Sequence, residues 1–109
     1  MKTDKELDIQ IGMNLRYLRT RTFKEKRNRF NKLVVKPLTQ TEVAQCINVT
    51  FQSMQKYENA TNKIDSVKLY KLSKFFGVPL DFFFDEHLIS RQTYTKIFRE
   101  DNVQQQHNI

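Results

Sequence analysis

Apolar residues recur along the first part of the chain at Leu7, Ile11, Leu15 and Leu18, spaced by four, four and three. That spacing marks one face of a helix running from about Asp4, as its cap, to beyond Arg19. The pattern then loosens. Phe23 and Phe30 lie seven apart with Leu33 and Val34 next, so either the first helix extends or a second short helix forms. Pro37 closes the segment, because its ring disfavours a helical residue just before it.

The stretch "PLTQTEVAQCINV" restarts the helical pattern. Thr39 followed by Glu42 reads as a capping box, and Leu38 and Val43 occupy hydrophobic-staple positions. Val43, Ala44 and Ile47 give this helix a buried side, and Asn48, which tolerates a left-handed backbone, ends it. A third helix starts at Thr50, with Val49 and Met54 in staple positions. A fourth starts at Asp65 and runs through Leu69, Leu72 and Phe76 to Gly77, where Pro79 prevents resumption. "PLDFFFDEHL" predicts a short apolar helix. Tyr94, Ile97 and Phe98 predict one more, and "DNVQQQHNI" reads as a polar tail. No alternation at period two is evident, and with only Gly 2 and Pro 2 the expectation is an all-α fold of five core helices, with an insertion after the first and a C-terminal helical extension. The expected division is residues 1–86 as one domain, with the insertion at about 20–37, and 87–109 as the extension.

A chain of 109 residues with 39% hydrophobic content fits one domain with a modest core. Cys46 is the only cysteine, which excludes an intrachain disulfide and suggests a reducing compartment. Without ligand spacing to His87 or His107 it reads as a buried structural thiol. No apolar run is long enough for a membrane span or a secretory leader, so the expectation is a cytoplasmic protein with no membrane partner. There is no glycine-rich phosphate loop, no metal-ligand spacing and no motif-placed carboxylate pair. An enzyme is not expected, nor a cofactor, a metal or a small-molecule effector.

Charge sharpens the picture. Arg19, Arg21, Lys24, Lys26, Arg27, Arg29, Lys32 and Lys36 face only Glu25 in residues 19–36, so this segment carries the whole net charge of +7. Such a block suits a polyanion or forms a solvated loop.

The stretch "VTFQSMQKYENATN" (Val49 to Asn62) is unusual in another way. On a helical wheel Phe51, Gln52, Gln55, Lys56 and Asn59 fall within an arc of about 140°, opposite Met54 and Tyr57. Burying Met54 and Tyr57 forces the amide-rich face outward. Only about four residues, Ile47 to Thr50, separate this helix from its predecessor, so the two must cross steeply, as in a DNA-binding helix-turn-helix. Glutamine can pair with adenine N6 and N7, lysine can donate to guanine O6 and N7, and phenylalanine can pack on a thymine methyl.

The stretch from Leu38 to Phe84 resembles the Xre-type, phage-repressor-like helix-turn-helix family of transcriptional regulators. The resemblance rests on Leu38-Thr39-Gln40, Ala44, Val49, Glu58 and Phe76-Gly77-Val78, and "IGMNLRYLR" (Ile11 to Arg19) is similar to the family's first helix. "TFQSMQKYENATN" resembles a bacterial subgroup with T-F-Q-x-x-Q-K-Y-E. The resemblance implies a sequence-specific duplex-DNA-binding regulator, expected as a homodimeric repressor on an inverted repeat. Thr50, Phe51, Gln52 and Lys56 would face bases. Thr39 and Gln40 would meet phosphate, Ser53 and Gln55 backbone or flanking bases, and Asn59, Thr61, Asn62 and Lys63 phosphates from the following loop. Arg19 and Glu58 match a scaffold pair. Candidate dimer surfaces are Phe82–Phe84 and the Tyr94–Phe98 helix.

Two features depart from the family pattern. Asn48 and Ala60 stand where glycine is frequent, and roughly fourteen extra residues precede L-T-Q. For that basic insertion the expected role is an accessory arm of Arg21, Lys24, Lys26, Arg27, Arg29 and Lys32 on DNA phosphates or in the adjacent minor groove. Two alternatives stay open: an antitoxin- or adaptor-type protein–protein module, and RNA binding through the insertion.

Overall fold

A computed structural model describes residues 2–86. It contains four α-helices: α1 (Asp4–Thr20), α2 (Gln40–Cys46), α3 (Phe51–Glu58) and α4 (Ser66–Phe76). A 3-10 helix (Leu80–Phe84) follows α4, and a two-stranded antiparallel sheet, β1 (Phe23–Arg27) with β2 (Leu33–Pro37), lies between α1 and α2. The expected Tyr94–Phe98 helix and the polar tail lie outside the described residues.

Local chemistry sets each helix end. The Thr3 hydroxyl, rather than Asp4, caps α1 by accepting from Glu6 N. Thr39 and Glu42 form the capping box of α2. Thr50 caps α3 through Ser53 N, and Asp65 caps α4 through Lys68 N. Helix α4 ends at Gly77, whose φ of 68° is left-handed. Asn48 (φ 58°) and Ala60 (φ 61°) take the same conformation on either side of α3. An alanine there is strained, because its Cβ crowds the following carbonyl.

Leu15, Val43, Ile47, Met54, Leu72 and Phe83 meet in the core, with Leu38 and Leu69 at its margin. The 3-10 helix is fastened to α1 by polar groups as well. Asn14 is fully buried, and its Nδ2 donates to the carbonyls of Phe82 (3.0 Å), Phe83 (2.9 Å) and Asp85 (3.1 Å). Gln10 Nε2 adds a bond to Asp85 O at 3.1 Å. One asparagine amide thus ties three carbonyls at the end of the 3-10 helix to α1.

Three further expectations are corrected. The fold is not a five-helix all-α bundle, because the fifth element is a 3-10 helix and the insertion is a β-hairpin. The pairing runs from Phe23↔Pro37 to Arg27↔Leu33. Its turn is closed by Asn28 N to Lys32 O (3.0 Å) and Asn31 N to Asn28 O (2.9 Å), with Asn31 at φ 60°. This is a three-residue hairpin loop in which asparagine fills the left-handed position. The hairpin buries neither face, so no apolar–polar alternation betrays its strands. Thirdly, Cys46 is exposed, because Val43, Ala44 and Ile47 take the inward side of α2.

Gly12 lets α1 and α3 approach. A Cβ built on it would lie 2.6 Å from the Glu58 carbonyl oxygen and 2.7 Å from that of Tyr57, whereas nothing lies within 4 Å of one at Gly77. Gly12→Ala should therefore cost about 1–3 kcal/mol by overpacking, and displace α3. Gly77→Ala should cost about 1–2 kcal/mol through its backbone conformation alone. Urea unfolding gives both values, and amide shifts confined to α1 and α3 in a folded Gly12→Ala protein would identify the displacement.

Candidate nucleic-acid interface

Helix α3 is fixed on one side and open on the other. Met54 is fully buried, Glu58 is 4% exposed and Tyr57 packs against the core. Phe51, Gln52, Gln55, Lys56 and Asn59 lie on the exposed side. The side chains of Gln52, Gln55 and Lys56 make no hydrogen bond or ion pair among the described residues. Phe51 is 41% exposed, large for a phenylalanine on a short, well-seated helix.

A buried ion pair holds α3 in place. Arg19 Nε donates to Glu58 Oε2 at 2.6 Å and Nη2 to Oε1 at 3.0 Å, a bidentate fork. Arg19 Nη1 also donates to Leu38 O at 3.1 Å, and Gln40 Nε2 donates to Glu58 Oε1 at 3.1 Å. The end of α1, the start of α2 and the end of α3 thus meet on one carboxylate.

Several other side chains are already engaged. Thr50 Oγ1 serves the cap and donates to Ser53 Oγ at 3.0 Å, leaving its methyl for any outside partner. Asn59 Oδ1 accepts from Thr61 N and from the Thr61 hydroxyl, shaping the loop after α3. Within that loop Thr61 N and Asn62 N both donate to Lys56 O, at 2.9 and 3.2 Å. Lys63 stands 3.8 Å from Asp4 and 3.9 Å from Asp8, while 70% of its side chain is exposed. The structure thus brings Phe51, Gln52, Gln55 and Lys56 together, ties Gln40 inward to Glu58, and leaves Asn62 exposed at the edge. The Gln40–Glu58 contact was not legible in sequence, because it spans elements that only folding brings together.

The basic insertion divides in the same way. Lys26 Nζ donates to Glu42 Oε1 at 2.5 Å, and Lys24 Nζ lies 3.7 Å from Oε2. The Lys26 hydrogen bond, with the Thr39 amide behind it, lowers the Glu42 pKa from 4.5 to about 2. These two lysines moor the hairpin to α2. Arg21 stacks over the Tyr17 ring, 4.2 Å from its centroid. Arg27 Nη1 donates to Asn31 O at 2.9 Å, and Arg29 lies over Phe30 at 5.0 Å, so both belong to the turn together with exposed Lys32.

No helix among the described residues is long and apolar enough to cross a membrane, and among them no group of three or more His, Cys, Asp or Glu could hold a metal ion.

Residues 38–83 match a family described as helix-turn-helix. Over 85 residues, 78% of this chain, the sequence is 28% identical to an uncharacterised HTH-type transcriptional regulator of Sinorhizobium medicae and covers 51% of that protein. It is 32% identical over 85 residues to an uncharacterised transcriptional regulator in the ATPase CF(0) region of Rhodospirillum rubrum, covering 66% of it. A third relative, an uncharacterised HTH-type transcriptional regulator of Sinorhizobium fredii, is 37% identical over 51 residues, 47% of this chain and 36% of that protein. The chain spans about half to two thirds of the length of the first two of these relatives.

Glu58→Ala would leave the Arg19 guanidinium without its partner, and should cost about 3–5 kcal/mol in urea unfolding. The folded Glu42 pKa lies below its ordinary value, so the mooring contributes stability above pH about 4.5 and loses it as pH falls toward about 2. Lys26→Met should return the Glu42 titration, followed by carboxyl NMR, toward its ordinary value and remove that part of the acid dependence.

Proposed function

The chain belongs to the Xre-type helix-turn-helix family, and from that premise we propose that it is a transcriptional regulator that reads duplex DNA with the outer face of α3. The observation that carries this reading is a rigid helix whose inner side is fixed by Met54 and Glu58, while Phe51, Gln52, Gln55 and Lys56 project without partners. A face of this kind loses little conformational freedom of its backbone when it docks. Gln52 and Lys56 supply bidentate or paired contacts to purine edges, and Phe51 and the Thr50 methyl supply apolar contact to thymine. Ser53 and Gln55 would meet backbone or flanking bases, Asn59, Thr61, Asn62 and Lys63 would approach phosphates from the following loop, and Thr39 and Gln40 would meet phosphate.

In this reading residues 1–86 are the DNA-binding unit and 87–109 its extension. The protein acts as a homodimeric repressor, placing two α3 helices in successive major grooves about 34 Å apart on an inverted repeat. Occupancy of a promoter would then exclude polymerase.

Selection from a random duplex library at about 150 mM salt should enrich an inverted repeat with half-sites one helical turn apart. Gln52→Ala and Lys56→Ala should each weaken the selected site by about 1–3 kcal/mol and leave binding to unrelated duplex nearly unchanged. An unenriched library with folded protein would sink the reading and point to protein docking by the same face. A sedimentation mass matching a single chain at binding concentrations would sink the dimer.

A further inference from the structure

The hairpin is left without a role by the reading of α3, and it is not built like a connecting loop. Asn28 Oδ1 accepts from Phe30 N (2.9 Å) and Lys32 N (3.0 Å), and Asn31 holds the left-handed position, so the turn is a defined shape. That shape presents Phe30 at 69% exposure, flanked by Arg29 and Lys32. The tip thus displays an aromatic ring between two cations. At its root the hairpin is closed by Leu38 N donating to Thr22 O at 2.9 Å, and one pair before its turn Lys26 moors it to Glu42. It therefore departs from the start of α2, beside the junction that seats α3.

We infer that the hairpin is a second DNA-binding element, whose tip enters the minor groove flanking the major-groove site, with Arg29 and Lys32 on its phosphates and Phe30 against the base steps. The inference rests on the proposed reading of α3. With α3 in the major groove, the start of α2 faces the phosphate strand bordering that groove, and beyond that strand lies the minor groove. From Lys26, held on α2, to Phe30 is four residues, at most roughly 13 Å at about 3.3 Å per residue, enough to pass the strand into a groove about 6 Å wide. Apolar wedges between cations are the means by which proteins open minor-groove steps. The single carboxylate of the hairpin, Glu25, lies in mid-strand opposite Val35, away from the tip.

The test uses the full chain and the selected site in two forms, the core alone and the core with about six base pairs of added flank on each side. A 2-aminopurine placed in the flank reports unstacking. Wild type should bind the flanked duplex more tightly and raise the 2-aminopurine fluorescence. Arg29→Gln with Lys32→Gln should lower the salt slope on the flanked duplex by about 1.8, two phosphates at about 0.9 each, and abolish the preference for it. Phe30→Ala should remove the fluorescence change while keeping the slope. All three side chains are exposed, so unchanged thermal unfolding verifies the variants. Gln52→Ala should lose sequence preference and retain flank preference.

Hairpin variants that match wild type on both duplexes, while Gln52→Ala still loses sequence preference, would overturn this inference and leave the reading of α3 standing. Wild type that binds neither duplex overturns both. Tighter binding to a structured RNA than to either duplex, lost in the Arg29/Lys32 variant, overturns it in favour of RNA.

Discussion

The fork between Arg19 and Glu58 is the interaction on which the rest of the arrangement depends. Four hydrogen bonds converge on these two side chains, joining α1, the Leu38 carbonyl, Gln40 and the end of α3. Such a buried pair adds little net stability over an apolar substitute, because both ions lose their water. What it adds is direction. A guanidinium held bidentately, with a third nitrogen on a carbonyl, fixes distance and angle together, which a lysine could not do. Gly12 supplies the matching condition, since only a residue without Cβ lets the last carbonyls of α3 rest on α1. The outward face of α3 is thereby aimed by contacts at its inner side and its far end.

Much of this was legible in the sequence wherever the signal is local. The caps at Thr39, Thr50 and Asp65, the turn at Asn48 and the stop at Gly77 each depend on residues within a few positions of one another. The division of α3 into Met54 and Tyr57 inside and Gln52, Gln55 and Lys56 outside followed from helical period alone. What escaped were features with no local signature. The β-hairpin has both faces in water, so its strands lack the alternation that marks a half-buried sheet, and an asparagine stands where a glycine would have announced the turn. The run "LDFFF" is apolar enough for a helix, but only Phe83 is fully buried, and its carbonyls are claimed by Asn14 from a distant helix. The Gln40 amide donates to Glu58, a contact that no spacing predicts.

Glu42 shows how few groups the molecule needs to join its parts. Its carboxylate closes the capping box of α2 through Thr39 N and Oγ1, and the same oxygen receives the Lys26 ammonium. Isolated two-stranded hairpins are marginal in water. This one is closed at its root by Leu38 N on Thr22 O, held beside its last ladder pair by the Lys26 ion pair on a helix that is itself seated in the core, and shaped at its tip by the side chain of Asn28. Stiffness at both ends turns a polar insertion into a projecting arm.

Helix α3 lies between two residues of positive φ, Asn48 and Ala60. The ends of the helix are set by these two backbone positions, the Thr50 cap and the Asn59 side chain, while Gln52, Gln55 and Lys56 on its outer face contribute nothing to the core. Such a helix behaves as a cassette. Its outward side chains are free to drift under selection for a different binding preference while folding stays intact, and duplicated copies within one genome would need only a few exchanges on that face to become insulated from each other.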